Sequence, residues 1–205
     1  NMSLLASRIW KGLMSKCNSK PPLNSIYTKI LLDSNAINKS LIRISHEIIE
    51  RNKDLESVIL IGIQRRGVTI AKRLKTLIYN FTNISLKTGD LDIGFYRDDL
   101  SFIHRPFIRE TSIQNNIDNK TIILIDDVLF TGRTIRAAMN ALIDFGRPKF
   151  IQLAVLIDRG HRELPIRPDY IGKNIPTSSK ENIQVKLTEI DQEEQVLLQK
   201  DSYEN

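Results

Sequence analysis

Cysteine is almost absent: Cys17 is the single one among 205 residues. That excludes an intrachain disulfide and any thiolate metal cluster, and it makes a reducing cytoplasm the expected setting. No apolar run approaches the ~20 residues that a membrane-spanning helix needs. Acidic residues are missing altogether from residues 1–32, which hold Arg8, Lys11, Lys16, Lys20 and Lys29. The net charge of +6 invites a nucleic-acid reading. With those five set aside, however, 25 basic residues face 24 acidic ones, so residues 33–205 carry only +1. A basic surface on the body must therefore come from local clustering. Internal repeats and low-complexity blocks are also missing. What remains, 41% apolar and 26% charged residues, is the balance of a globular protein of one domain.

The first 24 residues read as a poorly ordered basic extension ending at Pro21-Pro22. A transit peptide, an upstream extension and an expression remnant all fit them, Asn1 preceding Met2. Residues 25–205 are expected to form the single domain. "DSNAINKSLIRISHEIIERN" predicts a helix capped by Asp33 or Ser34, with Ile37, Leu41, Ile44 and Ile48 on one face. "SVILIGI", "TIILI" and "FIQLAVLID" are short apolar runs typical of strands buried on both sides. "VTIAKRLKTLIYNF" and "TIRAAMNALIDF" read as helices, the second ended by Gly146 and Pro148. "DLDIGFY" alternates through Leu91, Ile93 and Phe95 and predicts a strand, and "IQVKLTEI" predicts an edge strand. The polar stretches around 98–119 and 158–182 lack a sustained period and read as long loops, of the kind that is usually functional or mobile. Buried strands alternating with helices give an α/β fold with a parallel sheet. Ligands in such sheets bind beyond the carboxyl ends of the strands.

Two loops follow a strand and precede a helix, and should share that rim. In the first, Asp126-Asp127 runs through Val128 to Thr134. The helix start near Thr134 offers unpaired N–H groups to a phosphate, Gly132 lets the backbone come close, and Thr131 and Thr134 add hydroxyls. Two carboxylates beside an anion seat conflict unless the ligand is a sugar phosphate. They can then accept hydrogen bonds from ribose hydroxyls or neutralise a bound Mg²⁺. A lone Asp here would be a turn cap, but the whole block of apolar strand, Asp-Asp, three apolar residues and Thr-Gly-x-Thr is too specific for that. The second loop, "GIQRRGVT", mimics a phosphate-binding P-loop from Gly62 to Gly67, but Val68 stands where the lysine is required, so a nucleoside triphosphatase is excluded. Taken alone, this loop reads equally as a turn with two solvated arginines.

"IILIDDVLFTGRT" resembles the phosphoribosyl pyrophosphate (PRPP) signature of type I phosphoribosyltransferases. "SHEIIERN", "YRDDLS", "GRPKFIQLAVLIDRGHRELPIRPDYIGKNIPTS" and "VKLTEIDQ" are similar, in unbroken order over about 30–192, to the bacterial pyrimidine operon regulators that are also uracil phosphoribosyltransferases. Departures are Phe130 where Tyr is commoner, Gln64-Arg65-Arg66 where Lys-Thr-Arg is also seen, and Ile42 where Thr is common. The resemblance implies the type I fold, a parallel twisted sheet flanked by helices with a small hood over the site. It implies that uracil and PRPP give UMP and pyrophosphate, with Asp126 and Asp127 catalytic. PRPP would be held by Ile122, Ile123, Leu124, Ile125, Asp126, Asp127, Val128, Leu129, Phe130, Thr131, Gly132, Arg133 and Thr134. Pyrophosphate would be held by Gln64, Arg65, Arg66 and Gly67, with lid contacts from Arg97, His104, Arg105 and Arg109. Uracil would lie by Asp158, Arg159, Ile171 and Gly172. Mg²⁺ would enter mainly with PRPP, Asp126 or Asp127 being candidate direct ligands.

The resemblance further implies that UMP or UTP in this pocket promotes binding to the leader of pyrimidine-gene (pyr) mRNA, favouring transcription termination. The RNA contacts implied are Arg43, His46, His161, Arg162, Arg167 and Lys173. Taken alone, Arg43 and His46 read as a solvated helix face, and His161-Arg162 as an exposed turn. A homodimer or higher homo-oligomer and a cytoplasmic location are expected with it. Two alternatives stay open: a nucleobase salvage enzyme without an RNA role, and a nucleotide-sensing RNA regulator with trivial turnover.

Overall fold

The computed structural model describes residues 26–94, 111–113 and 116–201. The chain runs β1 (Ile26–Asp33), α1 (Ser34–Arg51), β2 (Val58–Ile63), α2 (Arg66–Thr82), β3 (Lys87–Leu91), β4 (Thr121–Leu129), α3 (Arg133–Ile143), β5 (Phe150–Asp158), β6 (Tyr170–Asn174), β7 (Glu181–Lys186), α4 (Thr188–Asp191) and β8 (Gln195–Asp201). The three apolar runs become β2, β4 and β5, inner strands of a five-stranded parallel sheet in the order β3-β2-β4-β5-β6. Ile122 to Ile125 are fully buried, as a strand covered on both faces requires.

One face of this sheet packs on α1 and α2, through Ile37, Leu41, Ile44 and Ile48 from the first and Ile70, Leu74 and Ile78 from the second. The four of α1 are the face that its sequence predicts. The other face packs on α3 through Ile135, Ala138 and Leu142. Asp33 caps α1 as expected, its Oδ1 accepting from Ala36 N at 2.7 Å. A second, antiparallel sheet in the order β1-β8-β7 joins the two ends of the described chain. Val185, Leu187 and Val196 pack it into the same core as α1 and α2.

Several elements differ from the sequence expectation. The strand expected in "DLDIGFY" lies upstream, at Lys87–Leu91. Leu91 and Ile93 are both buried, so the alternation is real. Pairing with β2 ends at Leu91, however, and the Asp92 carboxylate turns the chain by accepting from Gly94 N. "TIILI" continues through both aspartates to Leu129. The stretch 158–182, expected to be irregular and to form the hood, contributes β6 to the main sheet, while the antiparallel sheet draws on β1, β7 and β8. "IQVKLTEI" is an edge strand only to Lys186 and then turns into α4. Residues 1–24 and the lid positions Arg97, His104, Arg105 and Arg109 lie outside the described residues, as does Phe95. Among the described residues, no helix is long and apolar enough to cross a membrane.

Candidate functional site

All five strands of the main sheet are parallel, so their carboxyl ends share one rim. The chain leaves β2 for β3 on one side and then crosses to β4 on the other. This makes the space between β2 and β4 the topological switch point, where a ligand crevice is expected. The β2–β4 ladder stops at Gly62–Ile125, whereas β4 stays paired with β5 as far as Leu129–Asp158. Asp126 and Asp127 begin where β2 ends. They stand between the two rim loops that the sequence singles out.

The first loop turns at Gln64 and Arg65 into α2, through a cis Gln64–Arg65 peptide. Gln64 N donates to Leu91 O at 2.9 Å. Gly67 is pressed against β4, where a Cβ would collide with the Ile125 carbonyl oxygen and approach Asp126 Cα. Only glycine allows this approach, and it sets the loop directly beside the acid pair. Arg65 is exposed at the tip. Arg66 is bound by Asp191 of α4, Nη2 to Oδ1 at 2.7 Å and Nε to Oδ2 at 3.2 Å.

The second loop leaves β4 at Phe130 and enters α3 after Gly132, whose φ of 91° is left-handed. Residues 128–135 line a cavity of about 230 Å³ at the start of α3. Its outer side is braced by a segment that sequence reasoning did not assign to it. Thr131 O accepts from Glu163 N at 3.0 Å and Leu164 N at 3.3 Å, Leu164 and Ile166 lie over Gly132, and Glu163 pairs with Arg133 at 2.6 Å. Nothing local in "RELPI" signals that role; it arises from the tertiary fold.

Asp126 is buried, and its Oδ1 accepts from Asp127 N at 2.9 Å; Asp127 Oδ1 accepts from Val128 N at 3.0 Å. Desolvation pushes the Asp127 carboxyl above the ordinary carboxylate range, while the Asp126 hydrogen bond and the Arg66 charge pull the other way. Among the described residues no three His, Cys, Asp or Glu gather into a metal-holding group. Two adjacent carboxylates fit a hard divalent ion that takes its other oxygen ligands from a phosphorylated substrate and water.

At the end of β5, Asp158 is buried and pairs with Arg162, and the Arg159 guanidinium lies over the Phe130 ring at 3.9 Å. Arg159 also donates to Thr177 Oγ1 at 3.1 Å and to Glu181 O at 2.6 Å, and burial lowers its pKa. It is a strut between the loop after β4 and β7. His161 stands edge-on to Phe130, with its Nε2 2.5 Å from Thr177 O. Ile171 and Gly172, expected beside these groups, are in mid-β6, and their carbonyls accept from Arg43 at 2.8 and 2.5 Å. They sit at the outer edge of the sheet and not on the rim.

The expected RNA residues fall in separate places. Arg43 and Lys173 line one groove of about 440 Å³ between α1 and β6. His46 stacks on Phe81 of α2 with ring centroids 4.3 Å apart. His161 and Arg162 follow β5, and Arg167 is exposed just before β6.

A parallel sheet with a paired-aspartate strand end between a glycine-pinned loop and a loop opening a helix is the arrangement expected of a phosphoribosyltransferase. The model of the phosphoribosyl transferase domain matches residues 28–190. The fold is similar to a hypoxanthine phosphoribosyltransferase of Trypanosoma cruzi, with a TM-score of 0.65 at 17% identity over 87% of this chain and 93% of that one. It is also similar to a hypoxanthine phosphoribosyltransferase of Staphylococcus aureus, with a TM-score of 0.62 at 18% identity over 82% and 90%. Sequence relatives are nearer: the bifunctional protein PyrR of Clostridium novyi is 57% identical over 83% of this chain and 96% of its own length. That of Caldicellulosiruptor bescii is 56% identical over 83% and 94%. The chain belongs to the PyrR family of phosphoribosyltransferases.

Proposed function

We propose that the protein transfers the phosphoribosyl group of PRPP to uracil, giving UMP and pyrophosphate, and that uridine nucleotides in the same site control its binding to the pyr mRNA leader. The observation that carries the transferase reading is the position of Asp126 and Asp127, at the strand end between the two anion-holding loops. Breaking the bond at the anomeric carbon leaves positive charge on the ribose and negative charge on pyrophosphate. Catalysis is then mostly positioning and electrostatics. Asp126 and Asp127 accept from the ribose hydroxyls and favour the cationic ring. Amides and hydroxyls of residues 128–134 hold the 5′-phosphate at the start of α3. Arg65 and the amides of the 64–67 loop receive the pyrophosphate, with Arg66 holding the loop from behind through its pair with Asp191. Mg²⁺ would enter mainly with PRPP, with Asp126 or Asp127 the residue that would hold it, and its charge would neutralise the diphosphate. Uracil lies above the end of β5, beside Phe130 and the 158–162 loop, and Arg159 fixes that wall. Arg97, His104, Arg105 and Arg109, which lie outside the described residues, are the proposed lid contacts to the phosphates.

The regulatory half is supported by family membership and by the groove that brings Arg43 and Lys173 together. With His46, His161, Arg162 and Arg167 it offers the mixture of charge and hydrogen bonding suited to a folded RNA loop. The protein acts in the cytoplasm as a homodimer or higher homo-oligomer. A second reading, a salvage enzyme without an RNA role, draws on the internal partners of Arg43, His46 and Arg162. One preparation tests both. UMP formation is assayed with uracil against other bases, and pyr leader RNA is then titrated with and without UMP. Turnover with uracil and a UMP-strengthened shift are expected. Turnover without a shift favours salvage, and a shift without turnover removes the transferase.

A further inference from the structure

We propose that Asp191, in the turn between β7 and β8, is a positioning residue for the pyrophosphate half of the site and acts through Arg66. The inference rests on the transferase reading and names what the antiparallel sheet does for it. Arg66 opens α2 directly after Gln64 and Arg65. Asp191 grips its guanidinium at two points, at 2.7 and 3.2 Å, which fixes the plane of the fork as well as its place. The carboxylate is itself anchored, since Asp191 Oδ2 accepts from Leu187 N at 2.9 Å. The side chains are only 27% and 19% exposed, so water does not readily replace the partners. The next residue, Gly67, lies against the backbone of Ile125 and Asp126. The start of α2 is therefore clamped from two directions, by Asp191 on one side and by β4 on the other, and the 64–67 loop inherits its placement. Arg66 is thus spent on holding the loop rather than on reaching a ligand.

The same turn holds α2 at a second point. Arg73 pairs with Glu189 at 2.7 Å and Glu194 at 2.5 Å. Arg73 is two turns beyond the loop, so this tie steadies the helix but holds no residue of the site. It supplies the control that separates positioning from plain stabilisation.

The experiment compares Asp191→Asn, Asp191→Glu and Glu194→Gln. PRPP binding is measured by calorimetry in the presence of Mg²⁺, alongside steady-state kinetics and Tm. Asp191→Asn keeps the shape and loses the charge. It is expected to weaken PRPP binding about tenfold or more, as misplacement of a substrate-holding group does. KM for PRPP should follow, while KM for uracil stays within about twofold. Asp191→Glu should recover part of the loss. Glu194→Gln should lower Tm and leave PRPP binding unchanged. An unchanged PRPP dissociation constant in Asp191→Asn, or equal weakening in Glu194→Gln, overturns the proposal. Should Asp191→Asn fail to fold, Arg66→Lys, which keeps the charge without the fork, is read by the same titration, and unchanged binding again overturns it. Wild type that binds PRPP but forms no UMP would remove the transferase reading while the titration still decides the role of Asp191. Wild type that does not bind PRPP would remove both.

Discussion

Asp127 meets two opposed demands. In the proposed transfer it faces a developing cation and must be ionised, yet burial pushes its carboxyl above the ordinary range. A carboxyl whose folded pKa is raised costs the folded state nothing below its unfolded pKa, about 3.9. The cost builds as pH rises from that value and is fully present above the folded one. Asp127→Asn should therefore abolish UMP synthesis while raising Tm at pH 7. The gain should be a few degrees, on the order of what 1 kcal/mol moves in a domain of this size, and it should fade toward pH 3–4. Melting curves at the two pH values with a UMP assay check it; a fall in Tm at pH 7 would contradict the account. At this scale the sequence was legible, because Asp126 to Thr134 is a contiguous block whose chemistry survives without tertiary knowledge. Arg66 and Arg159 were not legible in the same way. Both were read as ligand-holding cations, but their partners, Asp191 and Glu181, are distant in sequence, and no local pattern announces them.

At the scale of elements, α2 matters for its first turn more than for its length. Replacing a helical glycine with alanine ordinarily gains up to about 1 kcal/mol. Gly67→Ala should do the reverse, because its Cβ would meet the Ile125 carbonyl in a strand held on its other side by β5. A loss of about 1–3 kcal/mol, the usual cost of overpacking, is expected. KM for PRPP should rise more than KM for uracil as the loop is displaced. A stable variant with wild-type KM would show that the close approach is dispensable. The inner strands and long helices were readable because each buries a continuous or periodic apolar face. β6 was missed because "YIGKN" is short, includes a glycine and two polar residues, and follows a proline-rich stretch. β8 was hidden in a polar tail, since among its described side chains only Val196 and Leu197 are buried. Such strands are specified by what they pair with and leave little trace in their own composition.

For the whole molecule, charge is distributed so that no general field draws nucleic acid to the body, which carries only +1 over residues 33–205. The proposed RNA binding must then rest on a few placed cations, and its salt dependence would count them. Arg43 is a poor probe of this, since removing it would also leave the carbonyls of Ile171 and Gly172 without their partner. Arg162 is no better, because it pairs with the buried Asp158 beside the catalytic rim. Lys173 is exposed in the same groove as Arg43, on the edge strand two strands over from the acid pair of β4. Lys173→Gln should weaken UMP-dependent leader binding across salt concentrations and lower the slope of log affinity against log salt by about 1. UMP synthesis should be unaffected, because the substitution leaves both rim loops intact. The same gel-shift titration, run at several salt concentrations on wild type and variant, gives the slope directly. An unchanged slope with unchanged affinity would mean that the α1–β6 groove does not face the RNA, and the nucleic-acid surface would have to be sought around His161 and Arg167.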